Sequence, residues 1–113
     1  MHEMALAESV LGIVEDTARR EHASRVRAVR LEIGRLANVE IEAMRFCFDA
    51  VTRGSVADSA RLEIYETPGA GWCMRCAATV AIDSAVDACP RCGGYQVAVT
   101  DGTAMRVREL ELE

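Results

Sequence analysis

The sequence predicts an α+β fold: two helices packed on a small three-stranded, mainly antiparallel sheet, with a four-cysteine zinc-ribbon lobe inserted. Three observations carry this reading. Two stretches repeat apolar residues at helical spacing. Three others alternate apolar and polar residues, and the last of these lies at the far end of the chain. Between them stand two Cys-x-x-Cys knuckles, Cys73-Met74-Arg75-Cys76 and Cys89-Pro90-Arg91-Cys92.

The first helix runs from Met4 to about Arg20. Leu6, Val10, Ile13 and Val14 form its apolar stripe, widened by Met4, Ala7, Leu11 and Ala18. Acidic Glu3 and Glu8 at the start and Arg19 and Arg20 at the end suit the helix dipole. His22, at the helix end, reads as a complement to that dipole rather than a ligand. Arg25 to Ile33 reads as a strand, with Val29, Leu31 and Ile33 alternating with Arg30 and Glu32. Asn38 is the expected N-cap of a second helix that buries Ile41, Met44, Phe48 and Val51. Arg53-Gly54 stops that helix, and Cys47 inside it reads as a small buried hydrophobe.

Arg61 to Thr67 is a second strand, and Pro68-Gly69-Ala70-Gly71 reads as a flexible linker. Trp72 is expected to pack against the cysteine lobe. Short strands are expected at Thr79–Ile82 and Tyr95–Thr100, and a final one at Met105–Leu112. In that last strand the apolar phase shifts near Arg108-Glu109, as a bulge requires. A two-strand sheet is marginal, so the final strand must return to join the first two. The expected organisation is a discontinuous domain, 1–67 plus 101–113, with a zinc-binding domain, 68–100, inserted in it.

Each knuckle can wrap one side of an ion, and Cys73, Cys76, Cys89 and Cys92 together supply four sulfurs for a tetrahedral structural zinc. Two disulfides are one alternative reading, although nothing upstream resembles a secretory signal, and an iron–sulfur cluster on the same four cysteines is another. Four sulfur ligands leave no open position for an activated water, so the zinc is not catalytic. No nucleophile–base constellation is evident elsewhere, and the chain reads as something other than an enzyme.

Composition narrows the partners. The 113 residues are half apolar and suffice for one ordinary core. The formal net charge is −5. From Pro68 to Val99, Arg75 and Arg91 balance Asp83 and Asp87, and four thiolates on zinc add further negative charge. Nucleic acid is therefore not an expected partner. No apolar run approaches the ~20 residues that span a bilayer, so no membrane role is expected.

The opening Met1-His2-Glu3 has chemistry of its own. With the initiator methionine retained, the Met1 amine, the His2 amide and the His2 imidazole can close two adjacent chelate rings around one ion. Such nitrogens suit Ni(II) or Cu(II), with a fourth position left for the Glu3 amide or a group from elsewhere. The plain alternative is a helix N-terminus with a solvated histidine.

Together, Met1-His2-Glu3, Leu31-Glu32-Ile33-Gly34, Phe46-Cys47-Phe48-Asp49, Arg53-Gly54-Ser55 and the paired knuckles resemble the HypA/HybF family along the whole chain. These are nickel metallochaperones of [NiFe]-hydrogenase maturation, some of which also serve urease. The resemblance implies a cytoplasmic protein, monomeric or weakly dimeric. Its transferable Ni(II) would be held at Met1, His2 and Glu3, and its structural Zn(II) on the four cysteines. It also implies two partners, the nickel-handling GTPase of the pathway and the hydrogenase large subunit. The chain departs from relatives that carry a histidine in or near the zinc lobe, because it has none after His22. A zinc-ribbon adaptor that binds only protein, with His2 incidental, is the competing reading.

Overall fold

The computed structural model describes residues 2–113. The elements in order are α1 (His2–Arg20), β1 (Val26–Gly34), α2 (Ile41–Thr52), β2 (Arg61–Thr67), β3 (Ala70–Cys73), β4 (Ala78–Ala81), β5 (Val97–Asp101) and β6 (Met105–Leu112). The strands form two three-stranded sheets, ordered β2-β1-β6 and β4-β3-β5. The last strand thus returns beside the first, as the alternation requires. Among the described residues, 2–31, 39–65 and 106–113 cluster as one compact unit, and 32–38 and 66–105 as another.

In the first unit, α1 and α2 pack against each other. Ala7, Val10, Val14 and Ala18 of α1 are buried with Met44, Cys47 and Phe48 of α2. Val26, Ala28, Val29 and Leu31 of β1 complete this core. Cys47 is fully buried there, as its place beside the apolar stripe suggests. Met44 is a large side chain with no exposure. Met44→Ala should cost about 2–5 kcal/mol, read as a shift in the urea midpoint at constant slope.

The polar side of this unit is a charge lattice centred on Arg30. Its guanidinium donates to Glu63 at 3.1 Å and Glu111 at 3.2 Å, with Glu109 at 3.5 Å. The Arg30 hydrogen bond, then those from Tyr65 and Arg61, hold the Glu63 carboxyl below its ordinary range. A carboxylate whose folded pKa is depressed stabilises the fold above its unfolded pKa. That stabilisation disappears as pH falls through the folded value. The stability gap between wild type and Glu63→Gln should therefore be constant near neutrality and shrink below about pH 4. A gap that grows on acidification would contradict the assignment.

Three expectations fail, each for a tertiary reason. α1 begins at His2, not Met4, so His2 and Glu3 of the metal-candidate segment are already helical. Asn38 does not cap α2: it sits at φ 56° two residues short of the N-cap Glu40. Pro68–Gly71 is not a loose linker. Ala70 and Gly71 open β3, paired with β4 and β5, and Gly69 and Gly71 are buried.

That segment runs through a backbone crossing inside the second unit. The Leu36 N–H donates to Gly102 O at 2.8 Å, the Gly34 N–H to Ala104 O at 2.9 Å, and the Arg35 N–H to Thr67 O at 2.9 Å. A Cβ on Gly34 would overlap the Gly102 carbonyl. One on Gly102, already at φ +94°, would lie 2.7 Å from the Gly69 Cα. The glycines are present because three strands of backbone touch. Gly34→Ala should destabilise by about 1–3 kcal/mol through overpacking, measured by denaturant titration.

Candidate metal centres

The second unit closes round the cysteines. β3 pairs antiparallel with β4 (Trp72 opposite Thr79) and with β5 (Cys73 opposite Val97). The alternation sends Gly71 and Cys73 inward and Trp72 outward. Leu36, Val80, Ile82, Cys73 and Cys89 form the buried cluster, with Cys76, Cys92, Val97 and Val99 packed against it. Trp72, expected against this core, is on the opposite face and 41% exposed. The lobe buries Leu36 and Ile82 instead.

Each knuckle turns the chain by the same device. The Cys76 N–H points at Cys73 Sγ, and the Arg91 N–H at Cys89 Sγ, both at 3.4 Å. In the second knuckle the Cys89 N–H donates to Gly94 O and the Gly93 N–H to Cys89 O, at 2.7 and 2.8 Å. The residue after each second cysteine is left-handed: Gly93 at φ 74° and Ala77 at φ 50°. Glycine suits that conformation, whereas an alanine there costs about 1–2 kcal/mol. Ala77→Gly relieves this but adds about 0.4–1 kcal/mol of unfolded-state entropy. A net stabilisation of about 0.5–1 kcal/mol is expected from chemical denaturation of the metal-loaded protein.

The four sulfurs lie within 4.8 Å of one another. Cys73 and Cys92 Sγ are 3.7 Å apart, Cys76 and Cys89 Sγ 4.0 Å apart. A tetrahedron with bonds of about 2.3 Å has edges of roughly 3.8 Å, which fits zinc. Disulfide sulfurs would sit at about 2.05 Å. All five cysteines are free thiols, which removes the two-disulfide reading. Backbone N–H groups of Cys92 and Arg91 pull the Cys89 thiol pKa down. Sulfur neighbours, Cys92 first, together with desolvation, push that of Cys76 up. A metal entering this cage must displace protons, so its binding strengthens as pH rises. Among the described residues, this is the group of His, Cys, Asp and Glu side chains placed to hold a metal.

Met1, the predicted amine donor, lies outside the described residues. His2 and Glu3 open α1, where the first N–H groups have no intrahelical acceptor. The His2 imidazole is about half exposed, and its Nδ1 stands 3.5 Å from a Glu3 carboxylate oxygen. That oxygen also accepts the Glu40 N–H at 3.1 Å. This hydrogen bond is the main cause of the lowered Glu3 pKa. Glu3 therefore ties the start of α1 to the start of α2 and brings Glu40 beside the candidate nickel residues. Glu40 reads in sequence as an ordinary solvated helix residue, and only this long-range contact singles it out.

Fold and cysteine cage together define a small metal-handling protein with two helices, small antiparallel sheets and a four-thiol site. A family model described as "Hydrogenase/urease nickel incorporation, metallochaperone, hypA" matches residues 1–112, and the chain belongs to this HypA family of maturation factors. It is not an enzyme. The chain is 64% identical to the hydrogenase maturation factor HypA of Dechloromonas aromatica and 61% identical to that of Albidiferax ferrireducens. Each match covers the whole of both chains. Among solved structures, the solution structure of the nickel metallochaperone HypA from Helicobacter pylori superposes with a TM-score of 0.69 at 22% identity. That match covers 97% of this chain and 96% of the other. A second solution structure of a HypA protein gives 0.71 at 25% identity, covering 100% and 97%.

Proposed function

We propose that this chain binds Ni(II) at its N-terminus and delivers it during maturation of a [NiFe]-hydrogenase, or of urease. The carrying observation is the family match along residues 1–112. The nitrogen set of Met1 and His2, with the Glu3 amide, supplies the ligands. The Glu3 carboxylate is occupied by the Glu40 N–H, so it holds the segment in place rather than reaching the ion. The exposed carboxyl-bearing residue Glu40 is the adjacent source of a further ligand. Coordination by amine, imidazole and amide nitrogens would give a compact, planar-leaning set with an accessible side, suited to handing the ion on.

Zn(II) on Cys73, Cys76, Cys89 and Cys92 is structural. It closes the lobe and performs no chemistry. In this reading the nickel domain is residues 1–67 plus 101–113 and the zinc domain residues 68–100, with residues 32–38, 66–67 and 101–105 clustering in the cysteine-bearing unit. Recipients in this reading are the nickel-handling GTPase of the pathway and the hydrogenase large subunit, with transfer in the cytoplasm. No helix among the described residues is long and apolar enough to cross a membrane.

The test is genetic and biochemical. A host strain lacking its own chain of this family should recover hydrogenase activity at limiting nickel with the wild-type protein. It should not recover it with His2→Ala made to equal abundance. Equal rescue by both would remove the proposal.

A further inference from the structure

The outer face of the β4-β3-β5 sheet pairs a tryptophan with a carboxylate. Trp72 stands between Thr79 of β4 and Ala98 of β5, and Ala70 lies between Ala81 and Asp101. The register slips between Ala70 and Gly71, passing over Thr100, so Asp101 takes the place opposite Ala70. Residues 70 and 72 project to one side of the strand, and cross-strand partners share that side. Asp101 is therefore on the tryptophan's face, diagonally across from it, at the roughly 7–8 Å typical of such neighbours. Trp72, Thr79, Ala81, Ala98 and Asp101 are all exposed. The alanines leave a shallow shelf beside the indole.

Neither polar feature of this face is matched by a cation of the chain. Among the described residues, the cation seated over an aromatic ring is Arg108, above Tyr65 in the first unit. The Asp101 carboxylate accepts the Thr100 hydroxyl at 3.3 Å and has no guanidinium within ion-pair distance. By contrast, Glu63, Glu66, Asp83 and Glu111 are each paired with an arginine. The second unit as a whole leans the same way. Its carboxylates are Glu32, Glu66, Asp83, Asp87 and Asp101, and its guanidiniums only Arg35, Arg75 and Arg91. Zinc on four thiolates adds further negative charge. Such a unit repels carboxylates and phosphates and draws cations.

We propose that this face docks a basic, extended segment of a partner protein. One lysine or arginine of the segment lies over the Trp72 indole, whose π-face attracts a cation within about 6 Å of the ring centre. A second basic residue, two positions along, meets the Asp101 carboxylate. Residues two apart on one side of an extended chain are separated by roughly 7 Å, which matches the diagonal from Trp72 to Asp101. The segment's backbone crosses the alanine shelf, where no large side chain holds it off. A nucleic-acid strand does not fit, because its phosphates meet Asp101 and a negatively charged lobe. The proposal goes beyond the nickel reading and does not depend on the first three residues.

The probe is a display library of random nonapeptides selected against the full-length, zinc-loaded chain. Trp72→Leu keeps an apolar side chain without the π-face, Trp72→Tyr keeps a ring, and Asp101→Asn keeps the shape without the charge. Each variant is first checked for one bound zinc. The expected result is enrichment of peptides with Lys or Arg two positions apart. A synthesised winner should shift the emission of Trp72, the chain's single tryptophan. In calorimetry it should bind about three-fold or more weakly to Trp72→Leu and to Asp101→Asn, and Trp72→Tyr should keep most of the affinity. Binding should also weaken in 0.5 M salt. No enrichment, or enrichment of acidic or wholly apolar peptides, overturns the proposal. Undiminished affinity for either zinc-loaded Trp72→Leu or Asp101→Asn also overturns it, since binding is then diffuse attraction of a basic peptide to an acidic chain. So does spermidine binding as tightly as the winner, because a free polyamine would then be ligand enough.

Discussion

Tag-free protein should bind one Ni(II) tightly, and His2→Ala should lose that binding by two orders of magnitude or more in calorimetric titration. The reason is chelation. The Met1 amine, the His2 amide and the His2 imidazole are consecutive along the chain, so the proposed donors form adjacent rings with little chain entropy to lose. Removing the imidazole opens one ring and leaves an amine and amides that ionise only with difficulty. A residue added before Met1 should have an equal effect, because it turns the amine into an amide. Protonation sets the pH dependence. Amine and imidazole must both be free of their binding protons to hold the ion, so affinity should fall on acidification. Glu3→Gln should behave differently. Its backbone amide is unchanged and its carboxylate serves Glu40, so nickel affinity should stay within a few-fold while the α1–α2 junction loosens. Loss of affinity as large as that of His2→Ala would place the carboxylate on the ion.

The second large effect falls on the cysteines. Cys73→Ala, or removal of the metal by a strong chelator, should unfold the cysteine lobe, and proteolysis should then cut within residues 70–99. Of the buried cluster that holds this unit, Cys73 and Cys89 are themselves members and Cys76 and Cys92 line it. What remains is Leu36, Val80 and Ile82 with two half-buried valines, too little apolar surface to hold a fold alone. Structural zinc contributes on the order of 10 kcal/mol in such lobes. Resistance of this segment equal to wild type would show that the sheet β4-β3-β5 stands without metal.

The sequence carried the long-range plan because that plan rests on strong local signals. Knuckle spacing announced four sulfurs round one ion, and they lie together. A third strand was required to complete a sheet, and β6 lies beside β1. What stayed hidden depended on partners far away in the chain. Pro68-Gly69-Ala70-Gly71 has the composition of a hinge, yet a Cβ on Gly69 would meet the Ile82 carbonyl and the Leu36 side chain, and one on Gly71 the Val97 side chain. That pressure comes from residues such as Leu36 and Val97, which no local pattern connects. The same is true of α2. Its start is fixed by Glu3 bonding the Glu40 N–H from 37 residues away, not by Asn38 next door. Trp72 misled by its size: alternation along β3 outranks hydrophobicity, and with Gly71 and Cys73 committed inward the indole must face out.

Zinc and nickel should occupy separate ligand sets, sulfur for one and nitrogen for the other. X-ray absorption at the nickel edge of tag-free protein carrying one zinc and one nickel tests this most directly. The predicted spectrum has nitrogen and oxygen scatterers at about 1.9–2.1 Å with an imidazole signature, and zinc surrounded by four sulfurs at about 2.3 Å. Nickel surrounded by sulfur, with the His2→Ala spectrum identical to wild type, would contradict the account.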